Sequence, residues 1–136
     1  MSGGLPAWCA DYIGIPFKER GRDRQGIDCY GLVALIFKEQ CGIDLPLFVE
    51  GYERIKGEEA NISAQIQAEA VAWETVTDPD PFDVAVFRIA GLPLHVGVVA
   101  IPGYMIHALK GCDVSCERYQ HPLWQPRLDG FYRYAA

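Results

Sequence analysis

The sequence predicts an α+β fold, with helices in the N-terminal half followed by an antiparallel sheet. The helical signal follows residue 28, where four apolar residues recur at three- and four-residue spacing: Leu32, Val33, Ile36 and Phe37. Gly42 is typical of a helix stop. The sheet signal lies in residues 83–108, which contain three β-type runs separated by Gly and Pro. We expect the helix to pack on this sheet.

Cys29 stands at the start of the predicted helix, in the run Asp-Cys-Tyr-Gly-Leu-Val at residues 28–33. Unsatisfied N–H groups in the first turn and the positive end of the helix dipole favour a thiolate over a thiol. We therefore take Cys29 as a candidate nucleophile. The alternative is a small buried apolar residue, which is the common role of a free cysteine.

Two histidines lie on neighbouring predicted strands. Side chains alternate along a strand, so one face is expected to hold Val96, Val98 and Ala100 together with Tyr104, Ile106 and Ala108. His95 and His107 then share the other face, as near or diagonal neighbours. A cysteine, a histidine base and a polar group that orients the imidazole form the minimal set for thiol-based acyl transfer. The alternative is that each histidine is a hydrogen-bonded structural residue.

These segments together resemble the NlpC-type cell-wall cysteine peptidases, a papain-like family. In that family the nucleophile lies in Asp-Cys-Ser-Gly-Leu-Val at the head of a helix. The basic histidine begins a His-Val-Gly-Ile-type strand, and a second histidine or other polar residue lies on the next strand. The stretch at residues 12–18 resembles the family's Gly-x-Pro-Tyr segment, and residues 81–83 resemble its Pro-Gly-Asp turn. The resemblance runs from about Tyr12 to His107 and implies the papain-like NlpC-type fold.

The resemblance implies a role for each residue of the catalytic set. Cys29 would be the nucleophile, His95 the general base and acid, and His107 the residue that holds the tautomer of His95. The substrate would be a peptidoglycan stem peptide, hydrolysed between D-glutamate and the diamino acid. No cofactor and no metal are implied.

The sequence departs from the family pattern near the nucleophile. The family tyrosine credited with a role at the oxyanion site is Phe17 here, so Tyr12 or Tyr30 would have to supply the hydroxyl. Tyr30 also replaces a small residue, where it would narrow the cleft or stack on substrate. We take Tyr12, Phe17 and Tyr30 as candidate substrate-binding residues. Phe82 replaces the glycine of the Pro-Gly-Asp turn.

Tyr30 and the Arg-Asp-Arg-Gln-Gly run at residues 22–26 look most like the short family versions found in tailed-phage tail-tip assembly proteins. This implies tail-tip proteins as partners and a virion tail location from which the cell wall is reached. Two alternatives stay open. The domain is a tail-tip structural module with lost or residual activity, which Phe17 favours, or it is a thiol amidase or acyltransferase acting on another substrate.

Composition is typical of one catalytic domain over residues 1–136. Half of the residues are hydrophobic, and 12 basic against 18 acidic side chains give a net charge of −6. This charge argues against a nucleic-acid surface and against a polybasic membrane patch. The first residues show neither a basic region nor an uninterrupted apolar stretch, so we expect synthesis in the cytoplasm without a signal peptide.

The remaining cysteines and the middle of the chain carry weaker signals. Five cysteines are an odd number and are expected to stay reduced, and Cys112 and Cys116 lack a second close pair for zinc. Residues 46–48 and 51–57 are predicted loops. A helix capped by Asn61 is predicted to carry Ile62, Ile66, Ala70 and Trp73. Strands are predicted over residues 73–77 and 128–134.

Overall fold

The computed structural model describes residues 5–45, 73–89 and 92–134. The predicted loops at residues 46–48 and 51–57 and the predicted helix from Asn61 lie outside the described residues. Trp73, which both patterns included, begins a strand rather than ending a helix. One domain over residues 1–136 stays a prediction.

The described chain forms one α-helix and an antiparallel sheet, which confirms the predicted α+β class. A 3₁₀ turn (Ala7–Asp11) is followed by a two-stranded ribbon of β1 (Arg22–Asp23) and β2 (Gly26–Ile27). Next comes α1 (Cys29–Ile36), which continues into a π-helical turn (Phe37–Cys41). The other described strands are β3 (Trp73–Val76), β4 (Val84–Ile89), β5 (Leu92–Ile101), β6 (Tyr104–His107), β7 (Ser115–Arg118) and β8 (Leu128–Tyr134). They form one sheet in the order β3-β8-β4-β5-β6-β7.

Asp28 is the N-cap of α1 and ties the preceding loop to the helix. Its Oδ1 accepts hydrogen bonds from the backbone N–H of Gly31 at 2.7 Å and from Nη1 of Arg22 at 2.9 Å. Its Oδ2 accepts from the backbone N–H of Arg20 at 3.0 Å. A Cβ on Gly31 would lie 2.3 Å from the Gly21 carbonyl oxygen, so only glycine allows this approach. Asp28 thus caps the first turn of α1 and fixes the preceding loop against it, so the helix begins at Cys29.

The helix ends where the sequence predicts. Gly42 has φ of 69° and donates its backbone N–H to the Phe37 carbonyl, as expected of a left-handed C-terminal cap. The buried face of α1 is wider than the four apolar residues from which it was predicted. In α1 only Leu35 is partly exposed, since the loop that leads into the helix covers the side away from the sheet. Charged side chains enter only in the π-helical turn.

The two faces of the sheet divide the core. Val98 lies opposite Ile106 and Val99 opposite Met105, which confirms the predicted hairpin of β5 and β6. Five of the six residues assigned to one face are buried in the core beneath α1: Val96, Val98, Ala100, Ile106 and Ala108. Tyr104 is 37% exposed at the hairpin turn. His95 and His107 lie on the other face with Phe87 and Trp124.

Phe82 adopts a left-handed conformation in the turn before β4. Its φ is 73°, which glycine adopts without the steric cost that a side chain adds. The Phe82 ring stacks on Trp8 with centroids 4.9 Å apart. The next residue, Asp83, is buried and accepts hydrogen bonds from Nε and Nη2 of Arg133 at 2.9 and 2.8 Å. Packing and this ion pair hold the turn without the family glycine.

No helix in the described part of the chain has the length and apolar character needed to cross a bilayer.

We expect Asp28→Ala to lower the free energy of unfolding by about 2–4 kcal/mol, because it removes a helix cap and a hydrogen-bonded ion pair with Arg22. Urea denaturation followed by circular dichroism measures this change. Asp23→Ala is the matched control, since the exposed Asp23 caps only the backbone N–H of Gln25 in a turn. Equal losses in the two variants would contradict the anchoring role of Asp28.

Candidate active site

Cys29 is the first residue of α1, and only 8% of its surface is exposed. Its thiol interacts with the backbone N–H groups of Tyr30 and Val96. Val96 follows His95 on β5, so the fold brings the predicted nucleophile to the strand that carries the predicted base.

The thiol of Cys29 is held in its protonated form. Burial raises its pKa to about 12, and the neighbouring Asp28 carboxylate adds to this shift. The hydrogen bonds from Val96 and Tyr30 and the charge of Arg22 lower the pKa without offsetting burial. The helix start thus favours the thiolate in the predicted direction, but the loss of solvation outweighs this effect. A nucleophilic role for this thiol therefore requires a base that removes its proton.

His95 and His107 are bonded to each other in the core. Their exposed fractions are 4% and 0%, and Nε2 of His95 lies 2.8 Å from Nδ1 of His107. The prediction that they share a face within reach of each other is confirmed. Burial, with a smaller contribution from His107, lowers the pKa of His95 to about 3. Burial also lowers the pKa of His107, against the opposing effect of Glu117. Both rings are neutral near pH 7, so one nitrogen of each ring carries a proton and the other carries a lone pair.

Two further side chains extend this pair, and sequence reasoning missed both. Nε2 of His107 lies 2.8 Å from Oε2 of Glu117, and Nε1 of Trp124 donates to Oε1 of Glu117 at 3.1 Å. The Trp124 ring stacks on His95, with centroids 5.1 Å apart and planes 19° from parallel. Glu117 lies on β7, a strand of four residues without apolar alternation, so its sequence carries little strand signal. Trp124 precedes a 3₁₀ turn in the aromatic-rich tail.

The three candidate substrate-binding residues occupy different surroundings. Tyr12 is fully buried, and its hydroxyl donates to Oε1 of Glu39 at 2.7 Å and accepts from Nε2 of Gln40 at 3.1 Å. Phe17 is half-buried and pairs with Ile27 through one β-bridge. Tyr30 is the second residue of α1 and is 9% exposed. The hydroxyl of Tyr12 is thus committed to polar partners on the helix side. The substrate-binding roles of all three stay predictions.

The chain carries free thiols and no preassembled metal cluster where it is described. All five cysteines are unpaired with one another. Among the described residues, no group of three or more His, Cys, Asp or Glu side chains is placed to hold a metal ion.

Fold and site together define a protein of the cysteine–histidine class, with the cysteine at a helix start and two bonded histidines on the adjacent sheet. The chain belongs to the NlpC/P60 family, whose sequence profile matches residues 14–133. This confirms the resemblance to that family. The closer resemblance to tailed-phage tail-tip proteins stays a prediction.

Two proteins of Escherichia coli strain K12 are similar in sequence. Murein DD-endopeptidase MepS/Murein LD-carboxypeptidase is 27% identical over 120 residues, which cover 88% of this chain and 56% of that protein. Probable endopeptidase NlpC is 25% identical over 124 residues, which cover 90% of this chain and 71% of that protein. The chain thus spans little more than half the length of the first relative.

The fold is also that of a solved family domain. The crystal structure of the NlpC/p60 domain of peptidoglycan hydrolase SagA matches with a TM-score of 0.62 and 22% identity. The match covers 93% of this chain and 92% of that one. It confirms the predicted α+β, NlpC-type architecture.

We expect the low pKa of His95 to make the protein less stable as the pH falls. Below pH 6.5 the unfolded chain binds a proton at this residue, whereas the native state stays neutral down to about pH 3. Each pH unit in this window should therefore cost about 1.4 kcal/mol of unfolding free energy. Urea denaturation of the parent and of His95→Gln between neutral pH and about pH 4 measures the difference.

In His95→Gln this contribution is absent, so the stability gap between parent and variant should narrow as the pH falls. The matched control is His121→Gln, since His121 is exposed and its Nδ1 accepts a hydrogen bond from the backbone N–H of Leu123 outside the histidine pair. A gap that is constant with pH would show that His95 is not held neutral.

Proposed function

We propose that this protein is a cysteine peptidase that hydrolyses an amide bond in peptidoglycan stem peptides. The observation that carries the proposal is the buried 2.8 Å hydrogen bond between Nε2 of His95 and Nδ1 of His107, on the strand pair next to Cys29. Membership of the NlpC/P60 family and similarity to two proteins named as endopeptidases support this substrate class.

The first half of the reaction forms a thioester. Nδ1 of His95 takes the proton of the Cys29 thiol as the sulfur attacks the carbonyl carbon of the amide. The carbonyl oxygen becomes an oxyanion. His95 then gives its proton to the amine nitrogen as the C–N bond breaks, and the amine leaves. Proton transfer during attack suits a thiol with a pKa of about 12 and an imidazole that is neutral at neutral pH.

The second half releases the acid. Water enters where the amine left, and His95 takes one proton from it as the oxygen attacks the thioester carbonyl. The C–S bond breaks, and the thiolate of Cys29 recovers the proton from His95. His107 acts as a positioning residue, because it bonds the ring nitrogen of His95 that does not handle the proton.

The oxyanion is assigned to main-chain donors. Phe17 has no hydroxyl, and the hydroxyl of Tyr12 is bonded to Glu39 and Gln40. The backbone N–H of Cys29, at the positive end of α1, is the donor that the helix start supplies. A site with one donor fewer is expected to turn over more slowly, on the order of a hundredfold, without losing the reaction.

Two finer assignments belong to the same proposal. The bond between D-glutamate and the diamino acid is the one that the family resemblance implies. A tail-tip setting, with tail proteins as partners, rests on Tyr30 and the run at residues 22–26. In that setting a second candidate function is a structural module with lost activity, which Phe17, with no hydroxyl for the oxyanion, favours.

The test is incubation of the purified protein with diaminopimelate-type stem peptides, followed by mass analysis of the products. We expect the parent to release a fragment that ends in D-glutamate. Cys29→Ala should lower the rate by a factor on the order of a thousand or more, because it removes the nucleophile. Cys112→Ala is the matched control, since that thiol is exposed and lies outside the site.

The other outcomes separate the candidates. If the parent releases no fragment but iodoacetamide alkylates Cys29 rapidly, the result would favour a thiol amidase or acyltransferase that acts on another substrate. No release and slow alkylation would favour the structural module.

A further inference from the structure

Four side chains form a continuous chain of hydrogen bonds on the sheet face that carries Phe87, His95 and His107. Nε1 of Trp124 lies 3.1 Å from Oε1 of Glu117, Oε2 of Glu117 lies 2.8 Å from Nε2 of His107, and Nδ1 of His107 lies 2.8 Å from Nε2 of His95. Trp124, His107 and His95 are each no more than 4% exposed. The side chain of Glu117, which lies between Trp124 and His107, is 34% exposed.

The chemistry of Trp124 and Glu117 sets the direction of every hydrogen bond in this chain. An indole N–H only donates and a carboxylate only accepts, so both oxygens of Glu117 receive a hydrogen. Nε2 of His107 therefore carries a proton, and Nδ1 of this neutral ring is bare. Nε2 of His95 must then donate to it. The remaining nitrogen of His95, Nδ1, is left without a proton, which is the state that a base requires.

We propose that Glu117 and Trp124 are positioning residues that fix the tautomers of His107 and His95 and so keep Nδ1 of His95 ready to accept the Cys29 proton. This assignment rests on the proposed function only in taking Cys29 as the group that His95 deprotonates. Glu117 bonds only His107 and Trp124 in this chain, and Trp124 meets the catalytic set only by stacking on the His95 ring.

The indole explains why position 117 needs a carboxylate rather than an amide. A glutamine offers one acceptor oxygen and one donor NH₂ group. If the oxygen faces His107, the NH₂ group meets the N–H of Trp124, and two donors oppose each other. If the oxygen turns to Trp124, the NH₂ group donates to Nε2 of His107 and the whole chain reverses. Nδ1 of His95 then carries a hydrogen and cannot act as a base.

The charge of Glu117 is secured by its neighbours. Burial alone would raise its pKa, but the hydrogen bonds from His107 and Trp124, helped by the nearby His121, hold the pKa below its usual value. The Cys116 thiol is the other titratable neighbour, and Glu117 contributes to raising the pKa of that thiol. Glu117 therefore remains a carboxylate throughout the neutral range, and the direction of the chain does not change there.

The first test is the rate at which iodoacetamide alkylates Cys29 in the full chain, read from the Cys29 peptide by mass spectrometry across the neutral pH range. This rate reports activation of the thiol without any substrate. We expect Glu117→Gln to lower it about tenfold or more, within the range that general-base catalysis contributes. Asp129→Asn is the matched control, because Asp129 accepts from Arg88 and Tyr132 away from this chain, and its rate should equal that of the parent.

Trp124→Phe separates positioning from a merely structural role. This change keeps an aromatic ring beside His95 but removes the competing donor. In the double variant Glu117→Gln/Trp124→Phe the amide oxygen is free to accept from His107. We expect its alkylation rate to recover to within about threefold of that of Trp124→Phe alone, a coupling between neighbours that additive damage would not produce.

The second test reads the tautomers directly by ¹⁵N–¹H correlation of the histidine rings at neutral pH. In the parent we expect the proton on Nε2 of both His95 and His107, and in Glu117→Gln a shift of the His107 proton to Nδ1. The measurement on the parent tests the predicted tautomers even if a variant fails to fold. A proton on Nδ1 of either ring in the parent, or alkylation of Glu117→Gln at the parental rate, would overturn the proposal.

Peptide hydrolysis distinguishes this proposal from the proposed function. Where the parent cleaves stem peptides, Glu117→Gln should lower kcat and leave KM unchanged, since Glu117 does not contact substrate. A parent that cleaves nothing while Glu117→Gln still slows alkylation would refute the substrate and keep the positioning role. A parent that cleaves stem peptides while Glu117→Gln retains the parental kcat would keep the proposed substrate and refute the positioning role of Glu117.

Discussion

The hydrogen bond between His95 and His107 is the interaction on which the site depends. Two imidazoles with exposed fractions of 4% and 0% lose most of their hydration on folding, and a buried nitrogen without a partner costs free energy. The pair satisfies one nitrogen of each ring, and Glu117 satisfies the second nitrogen of His107. That leaves one nitrogen of His95 for chemistry. The same burial that keeps the rings neutral therefore also selects which atom can act as the base.

The cap of α1 by Asp28 positions the sulfur of Cys29. Asp28 holds the first turn of α1 and the loop before it through three hydrogen bonds, and Gly31 lets the two backbones approach closely. The thiol of Cys29 then lies against the backbone of Val96 in β5. The cap and the histidine pair thus belong to different parts of the fold, and the packing of α1 on β5 joins them.

Burial decides how the thiol is used. A helix start is expected to stabilise a thiolate, yet the desolvated Cys29 keeps its proton, and the desolvated His95 does not take one at rest. The site is therefore suited to proton transfer coupled to attack rather than to a standing ion pair. Such a mechanism depends strongly on the tautomer of His95. That dependence is the physical reason for the Glu117 carboxylate and the Trp124 indole donor at the end of the hydrogen-bonded chain that is remote from Cys29.

The sequence by itself determined the features that depend on neighbours along the chain. Helical spacing placed Cys29 at a helix start, and strand alternation placed His95 and His107 on one face, because both periods are set by backbone geometry. Only the tertiary structure brought β7 beside β6, with Glu117 bonded to His107, and Trp124 onto His95. It also decided the protonation of Cys29. Strand order and burial depend on contacts between residues far apart in sequence, which no local pattern encodes.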